Sequence, residues 1–212
     1  MWLANQTRPD ISNAVWAVAR FAHAPKLKHW EAARGILEYL KVTSSYGITF
    51  QRGSGLELMV YADATYVLKD TKRKSVSGVA VMCGGAAIQW IARTQKCTTL
   101  SSSQAEYVAM AEGFKEAIFL WHMWRFLLPD FGDPCIQVFE DNKGAIQMAA
   151  NSVTDSNSKH VDVRHHFLRE YVENGEFDIS HVESKYQHAD FLTKPLAKDA
   201  FRFRRNFMMN MS

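Results

Sequence analysis

Cysteine is scarce and poorly placed for chemistry. The 212-residue chain has three, Cys83, Cys97 and Cys135, with no CxxC spacing for a metal and an odd number that disfavours a disulfide framework. A reducing, intracellular compartment is the expectation. Long apolar runs are also missing: the longest uncharged stretch, Ser75 to Ile91, is broken by Gly78 and Gly84-Gly85, and a membrane span needs about 20 apolar residues. No membrane partner is expected. No secretory signal is expected, because Met1-Trp2-Leu3-Ala4-Asn5-Gln6 turns polar at once. Excess charge is small, 25 Lys and Arg against 22 acids, so composition alone does not indicate nucleic acid and local clusters must carry that case. There is no internal repeat and no low-complexity segment. What is present is an ordinary globular composition, 47% hydrophobic and 22% charged, on a chain long enough to bury a core.

Two helices are expected first. Thr7-Arg8-Pro9-Asp10 supplies an N-cap, an early Pro and an acid before Ile11, Val15, Val18 and Phe21 on one face. Trp30, Ala33, Ile36, Leu37 and Leu40 mark the second, making residues 1–45 a helical hairpin. The period then changes. Gly47 to Phe50, Leu58 to Ala64, Ser77 to Cys83 and Ala87 to Ile91 read as strands, with Gly84-Gly85 as a hairpin turn. A long helix runs from Ser103 to about Leu127, followed by a strand Ile136 to Phe139 that leads into a helix beginning at Glu140-Asp141-Asn142. A helix from about Val161 to Glu173, a strand Phe177 to Val182 and a last helix around Gln187 to Thr193 complete the pattern. This order predicts an α/β fold, a mixed sheet with helices on its faces.

The strand–helix–strand crossover places the Ile136 strand parallel to the Leu58 strand, so the acids that end them, Asp63 and Asp141, should meet. Ligand sites in open sheets lie beyond the carboxyl ends of such strands. Glu106, in the first turn of the long helix, and Asp190, in the final helix, complete a set of four. Four carboxylates in one cleft repel one another unless cations neutralise them. Oxygen-only ligands suit Mg or Mn rather than Zn, and two such ions about 4 Å apart catalyse in-line phosphoryl displacement. Each acid also has a plain alternative: Asp63 as a turn former or helix cap, Ser103-Gln104-Ala105-Glu106 as a capping box, Asp141 as an N-cap, and Asp190 as a first-turn acid.

Several stretches, in order, resemble the C-terminal part of a copia-type LTR retrotransposon polyprotein, the tail of its reverse transcriptase joined to its ribonuclease H domain. They are Arg8-Pro9-Asp10-Ile11, His29-Trp30 through Leu37-Glu38-Tyr39-Leu40-Lys41, Tyr61-Ala62-Asp63-Ala64, Lys74-Ser75-Val76-Ser77-Gly78, Leu100 through Tyr107, Asp141-Asn142, Lys159-His160-Val161-Asp162-Val163-Arg164, and Ala189-Asp190-Phe191-Leu192-Thr193-Lys194-Pro195-Leu196. The resemblance implies a ribonuclease H-like five-stranded sheet preceded by the helical hairpin, with the acidic quartet carried onto Asp63, Glu106, Asp141 and Asp190. It also implies that the polymerase acids lie in a palm segment this sequence lacks. The expected division is 1–45 as a reverse transcriptase remnant, 46–196 as the ribonuclease H-like domain and 197–212 as a basic, Met-rich tail.

Lys72-Arg73-Lys74 and Arg93 to Lys96 are candidates for phosphate contacts, or else a solvated hairpin surface. Ser101, Ser102 and Asn142 could bond the 2′-hydroxyls that distinguish RNA from DNA. His165, beside His166, and His188 are candidate proton relays; the alternative for the pair is a surface face plus a packed ring. Arg202-Phe203-Arg204-Arg205 reads as a frayed helix or tail, and the methionines after it have no assigned role.

The expected function is hydrolysis of the RNA strand of an RNA/DNA hybrid with two Mg2+ or Mn2+ ions, the polymerase region of the polyprotein being a second partner. The alternative is a catalytically silent nucleic-acid-binding or structural fragment. A third reading, an integrase core, needs a final catalytic glutamate on a helix, whereas Glu176 opens a strand. Mutual distances of the four carboxylates are the deciding quantity.

Overall fold

The computed structural model describes residues 1–66, 74–132, 135–150 and 167–211. Five strands, β1 (Leu58–Thr65), β2 (Val76–Cys83), β3 (Ala86–Thr94), β4 (Ile136–Glu140) and β5 (Phe177–His181), form one sheet in the order β3-β2-β1-β4-β5. β1, β2 and β3 pair antiparallel, while β4 lies parallel to β1 and β5 parallel to β4. The β2–β3 hairpin turns on Gly84 (φ 56°) and Gly85 (φ 83°), two consecutive left-handed residues of the kind a tight hairpin requires.

Helices precede, connect and follow the strands. α1 (Trp2–Gln6), α2 (Ser12–Ala19) and α3 (Leu27–Val42) come first. α4 (Ser102–Leu127) crosses from β3 to β4, and α5 (Lys143–Ala150) follows β4. A helix over 167–173, α6, leads into β5. α7 (Asp190–Thr193) and α8 (Lys198–Met209) end the order.

Alternation along the strands divides the core between the two sheet faces. Val60, Ala62, Val79 and Val81 lie under Tyr107, Met110 and Phe114 of α4. Tyr61, Ala80 and Met82 lie under Phe191 and Leu192 of α7 and Met208 of α8. Phe114 also stacks on Phe177 of β5, with centroids 4.0 Å apart. Among the described residues, no helix is long and apolar enough to cross a membrane.

Four expectations change. Thr7 caps no helix N-terminus: the chain makes a short 3-10 turn at Pro9–Ile11, and Asp10 instead accepts from Arg8 (2.8 and 2.9 Å) and Tyr39 (2.7 Å), pinning the start of the chain to α3. Gly47 to Phe50 is not a strand: it is attached to the end of α8, through Thr49 N–H to the Met209 carbonyl and the Asn210 side chain to the Thr49 carbonyl, both 2.9 Å. The last short helix contains Asp190–Thr193 but not Gln187, and the 161–166 part of its predicted predecessor lies outside the described residues. The described part of the 197–212 segment is not a loose tail. Lys198–Met209 is a helix with Arg204, Arg205, Met208 and Met209 buried, because its apolar stripe covers the sheet face opposite α4.

Met208 is fully buried, so Met208→Ala should cost about 2–5 kcal/mol of stability in urea unfolding. A loss within about 0.5 kcal/mol, as at a surface site, would contradict the packing of α8.

Candidate metal centre

Register brings the first two acids together. Tyr61 is level with Phe139 in the parallel β1–β4 pair, so the next same-facing residues, Asp63 and Asp141, lie level where these strands end. Glu106 arrives from the other side of the sheet, in the second turn of α4. The cap of α4 is Ser101, whose Oγ accepts the Gln104 N–H at 3.1 Å, while the Gln104 side chain accepts the Leu100 N–H at 2.7 Å. The Ser103–Glu106 capping box therefore does not form, and Glu106 points into the cleft. Ser103 donates instead to Asn142 Oδ1 at 3.1 Å. That same oxygen accepts the Ala145 N–H at 3.1 Å, which makes Asn142, not Asp141, the residue that caps α5.

Asp63, Glu106 and Asp141 each offer a carboxylate oxygen, and these oxygens all lie within 4.8 Å of one another. Asp63 and Glu106 are buried, and Asp141 is half-buried. Asp63 accepts a hydrogen bond from the Thr193 hydroxyl, Asp141 accepts one from Ser184 Oγ at 2.7 Å, and Glu106 Oε2 has no hydrogen-bond partner among the described residues. Burial pushes the Asp63 carboxyl up to about 7, with Asp190 and Asp141 adding to the rise against the opposing pull of Lys194 and Thr193. Burial likewise raises Glu106 well above the carboxylate range, and Asp63, Glu140 and Asp141 reinforce it. A hard divalent cation fits this arrangement: the donors are all oxygens, closely spaced, and one is buried without a partner.

Asp190 stands apart from that trio. It is buried on α7, with Oδ1 2.7 Å from Lys194 Nζ and Oδ2 3.1 Å from an Arg204 nitrogen. Gly78, level with Asp63 across β1 and β2, lets α7 approach this closely: a Cβ there would sit 2.6 Å from Thr193 Cγ2 and 3.0 Å from the Ala189 carbonyl. Arg204 also donates to the carbonyls of Gln187 (2.9 Å) and Ser184 (2.7 Å). Gln187 in turn donates to the carbonyls of Ala62 (2.8 Å) and Phe139 (3.3 Å), tying this loop to the ends of β1 and β4.

Four participants went unrecognised in the sequence. Glu140 is fully buried beside the trio, with Oε1 accepting the Asn142 N–H at 3.0 Å, Oε2 unpartnered and its carboxyl driven up chiefly by burial. The alternation Ile136, Val138, Glu140 was the available signal for its inward direction. Lys194 was visible only as part of a motif, and Ser184 and Arg204 carried no local signal of a role.

The other candidates are placed as follows. Ser101 and Ser102 are exposed at the start of α4, and Asn142 is occupied as a cap. Lys74 Nζ donates to the Lys96 carbonyl at 2.9 Å, and Arg93 lies 3.4 Å from Glu112. His188 is enclosed by aromatic rings, stacked on Phe207 at 3.5 Å and edge-on to Tyr61 at 5.1 Å. Burial, then Arg204, lowers it to about 4, as expected of a ring packed among aromatic neighbours. His165, His166, Lys72 and Arg73 lie outside the described residues.

No family profile matches the chain. It is 36% identical over 197 residues to the retrovirus-related Pol polyprotein from transposon TNT 1-94 of Nicotiana tabacum, covering 92% of this chain and 14% of the relative. It is also 36% identical over 196 residues to the corresponding polyprotein from transposon RE1 of Arabidopsis thaliana, covering 92% and 13%. The chain thus spans a small fraction of these relatives' length. Among solved structures, a foamy viral protease-reverse transcriptase in complex with an RNA/DNA hybrid matches with a TM-score of 0.52 at 15% identity, over 85% of this chain and 23% of that one. The mixed five-stranded sheet with flanking helices is ribonuclease H-like.

The raised carboxyls have a measurable consequence. Without divalent ions, the folded protein holds protons that the unfolded chain releases, so stability falls as pH rises. For Asp63 the window runs from its ordinary value of 3.8 to about 7. The urea midpoint in EDTA should decrease across that window, and Asp63→Asn should flatten the slope; a midpoint that rises there would contradict the protonated cluster.

Proposed function

The chain belongs to the retrovirus-related Pol polyproteins of transposons, and from that membership we propose that it is a metal-dependent endonuclease, the ribonuclease H part of a copia-type polyprotein, hydrolysing the RNA strand of RNA/DNA hybrids. The observation that carries this reading is the convergence of Asp63, Glu106 and Asp141 within 4.8 Å. Within the same proposal, residues 1–45 form the end of a reverse transcriptase and the remainder the nuclease domain, working inside the cell.

Asp63, Glu106 and Asp141 would hold Mg2+ or Mn2+, which supplies Lewis-acid stabilisation of a phosphoryl oxygen and a more acidic bound water. The protein's own contribution is to fix the donors. Thr193 orients Asp63 and Ser184 orients Asp141, each through a hydroxyl donating to the carboxylate, while the Ala64 backbone bonds Glu106. Glu106 Oε2, without a partner among the described residues, would be available to an ion or substrate. Exposed Ser101 and Ser102 lie on the α4 terminus that delivers Glu106, where hydroxyls can meet a ribose 2′-OH. Asp190, as a fourth ligand, would first have to release Lys194 from its Oδ1, while Arg204 stays on Oδ2.

Trp30 and Leu37 of α3 are 62% and 63% exposed, which favours a companion surface on the polymerase region of a longer polyprotein. The same observation supports the second reading, a fragment that binds hybrid without cutting it.

Asp63→Asn preserves size and removes the charge. Mg2+-dependent cleavage of an RNA/DNA hybrid should fall on the order of 10²–10³-fold or more, with the circular dichroism spectrum unchanged. Undiminished cleavage would sink the assignment, and wild-type chain that binds hybrid but never cuts it with Mg2+ or Mn2+ would establish the second reading.

A further inference from the structure

Both oxygens of Asp190 already bear a cation, and the two cations differ in how firmly they are held. Arg204 is buried and fixed: besides Asp190 Oδ2 it donates to the carbonyls of Gln187, Ser184 and Ala200, the last at 3.3 Å. Lys194 reaches Asp190 Oδ1 at 2.7 Å, but its side chain is 44% exposed. A four-carbon stem ending in a compact ammonium, anchored to the helix bearing Asp190 only by the i,i+4 relation, can swing into solvent where Arg204 cannot. The ammonium also lies within electrostatic reach of Asp63 and Asp141. It thus shares the cleft with the trio and holds the one Asp190 oxygen that Arg204 does not.

We propose that Lys194 is the chain's own occupant of the second cation position, so that the free protein takes one divalent ion at Asp63, Glu106 and Asp141, and a second reaches Asp190 only when Lys194 leaves. The proposal rests on the metal-dependent reading above and adds a positioning role for a residue of the Asp190–Lys194 turn. Coulomb attraction explains the arrangement. Four carboxylates in a partly buried cleft need countercharge, and an ammonium covalently attached to the chain supplies one unit without requiring any ion from solution. Because Lys194 and a divalent ion compete for the same oxygen, they bind exclusively, and removing the ammonium should strengthen the second ion's binding. A phosphate group of a bound nucleic acid is a natural alternative partner for the released ammonium.

Calorimetric titration of the full chain with Mn2+, in the absence of nucleic acid, tests this. Wild type should bind one ion per chain, and Lys194→Met should bind two, or bind the second at least 10-fold more tightly. Lys194→Arg, which keeps a cation, should behave as wild type, separating charge from packing. Lys194→Gln serves as a second neutral variant should the Met variant fail to fold. Equal stoichiometry and affinity in wild type and both neutral variants, or two equally tight ions in wild type, would overturn the role of Lys194. If no variant binds Mn2+ at all, the metal-dependent reading itself fails, and the competition with it.

Discussion

Repulsion between carboxylates held together by strand register is the constraint on which the rest of the structure turns. The parallel pairing of β1 and β4 leaves Asp63 and Asp141 no route apart, and α4 adds Glu106 to the same small volume. Close, partly desolvated acids cannot all carry charge without compensation. The carboxyls of Asp63, Glu106 and Glu140 are all shifted upward, with burial as the leading cause and the neighbouring acids adding to it. The surrounding fold maintains the costly arrangement because the sheet and α4 bury a large apolar core on either side of it.

Compensation from within the chain is one-sided. Lys194 and Arg204 both attach to Asp190, while Asp63 and Asp141 receive only hydroxyl hydrogen bonds and Glu106 a single backbone bond. The cleft thus has a side on α7 where both cations pair directly with a carboxylate, and a side between β1, β4 and α4 that Lys194 reaches only through longer-range attraction. A divalent ion has most to gain on the second side.

α8 makes the division possible. Arg204 clasps the loop from Ser184 to Asp190, and Gln187 joins that loop to the carbonyls at the ends of β1 and β4. His188, enclosed by Phe203, Phe207 and Tyr61, fills the space beneath. A segment that reads as a charged tail is therefore part of the scaffold. Its arginines were misleading because solvated and clasping guanidiniums have the same sequence signature; only the carbonyls facing Arg204 distinguish them.

The sequence by itself determined the strand and helix order, the crossover, and the meeting of Asp63, Glu106 and Asp141, because period-two and helical apolar spacing are local properties and register then follows from topology. It also contained the turn glycines, Gly84 and Gly85, whose positive φ is a demand of the residue type. Only the tertiary structure decided which residue caps which helix, since Ser101 and Ser103, or Asp141 and Asn142, are equally suitable caps until the backbone selects Ser101 and Asn142. It likewise decided that Gly47 to Phe50 joins α8 rather than the sheet, and that Asp190 faces two cations. Those outcomes depend on partners distant in the chain. The energy of a charge or a hydrogen bond is set by what lies across from it, and no local pattern of residues encodes that.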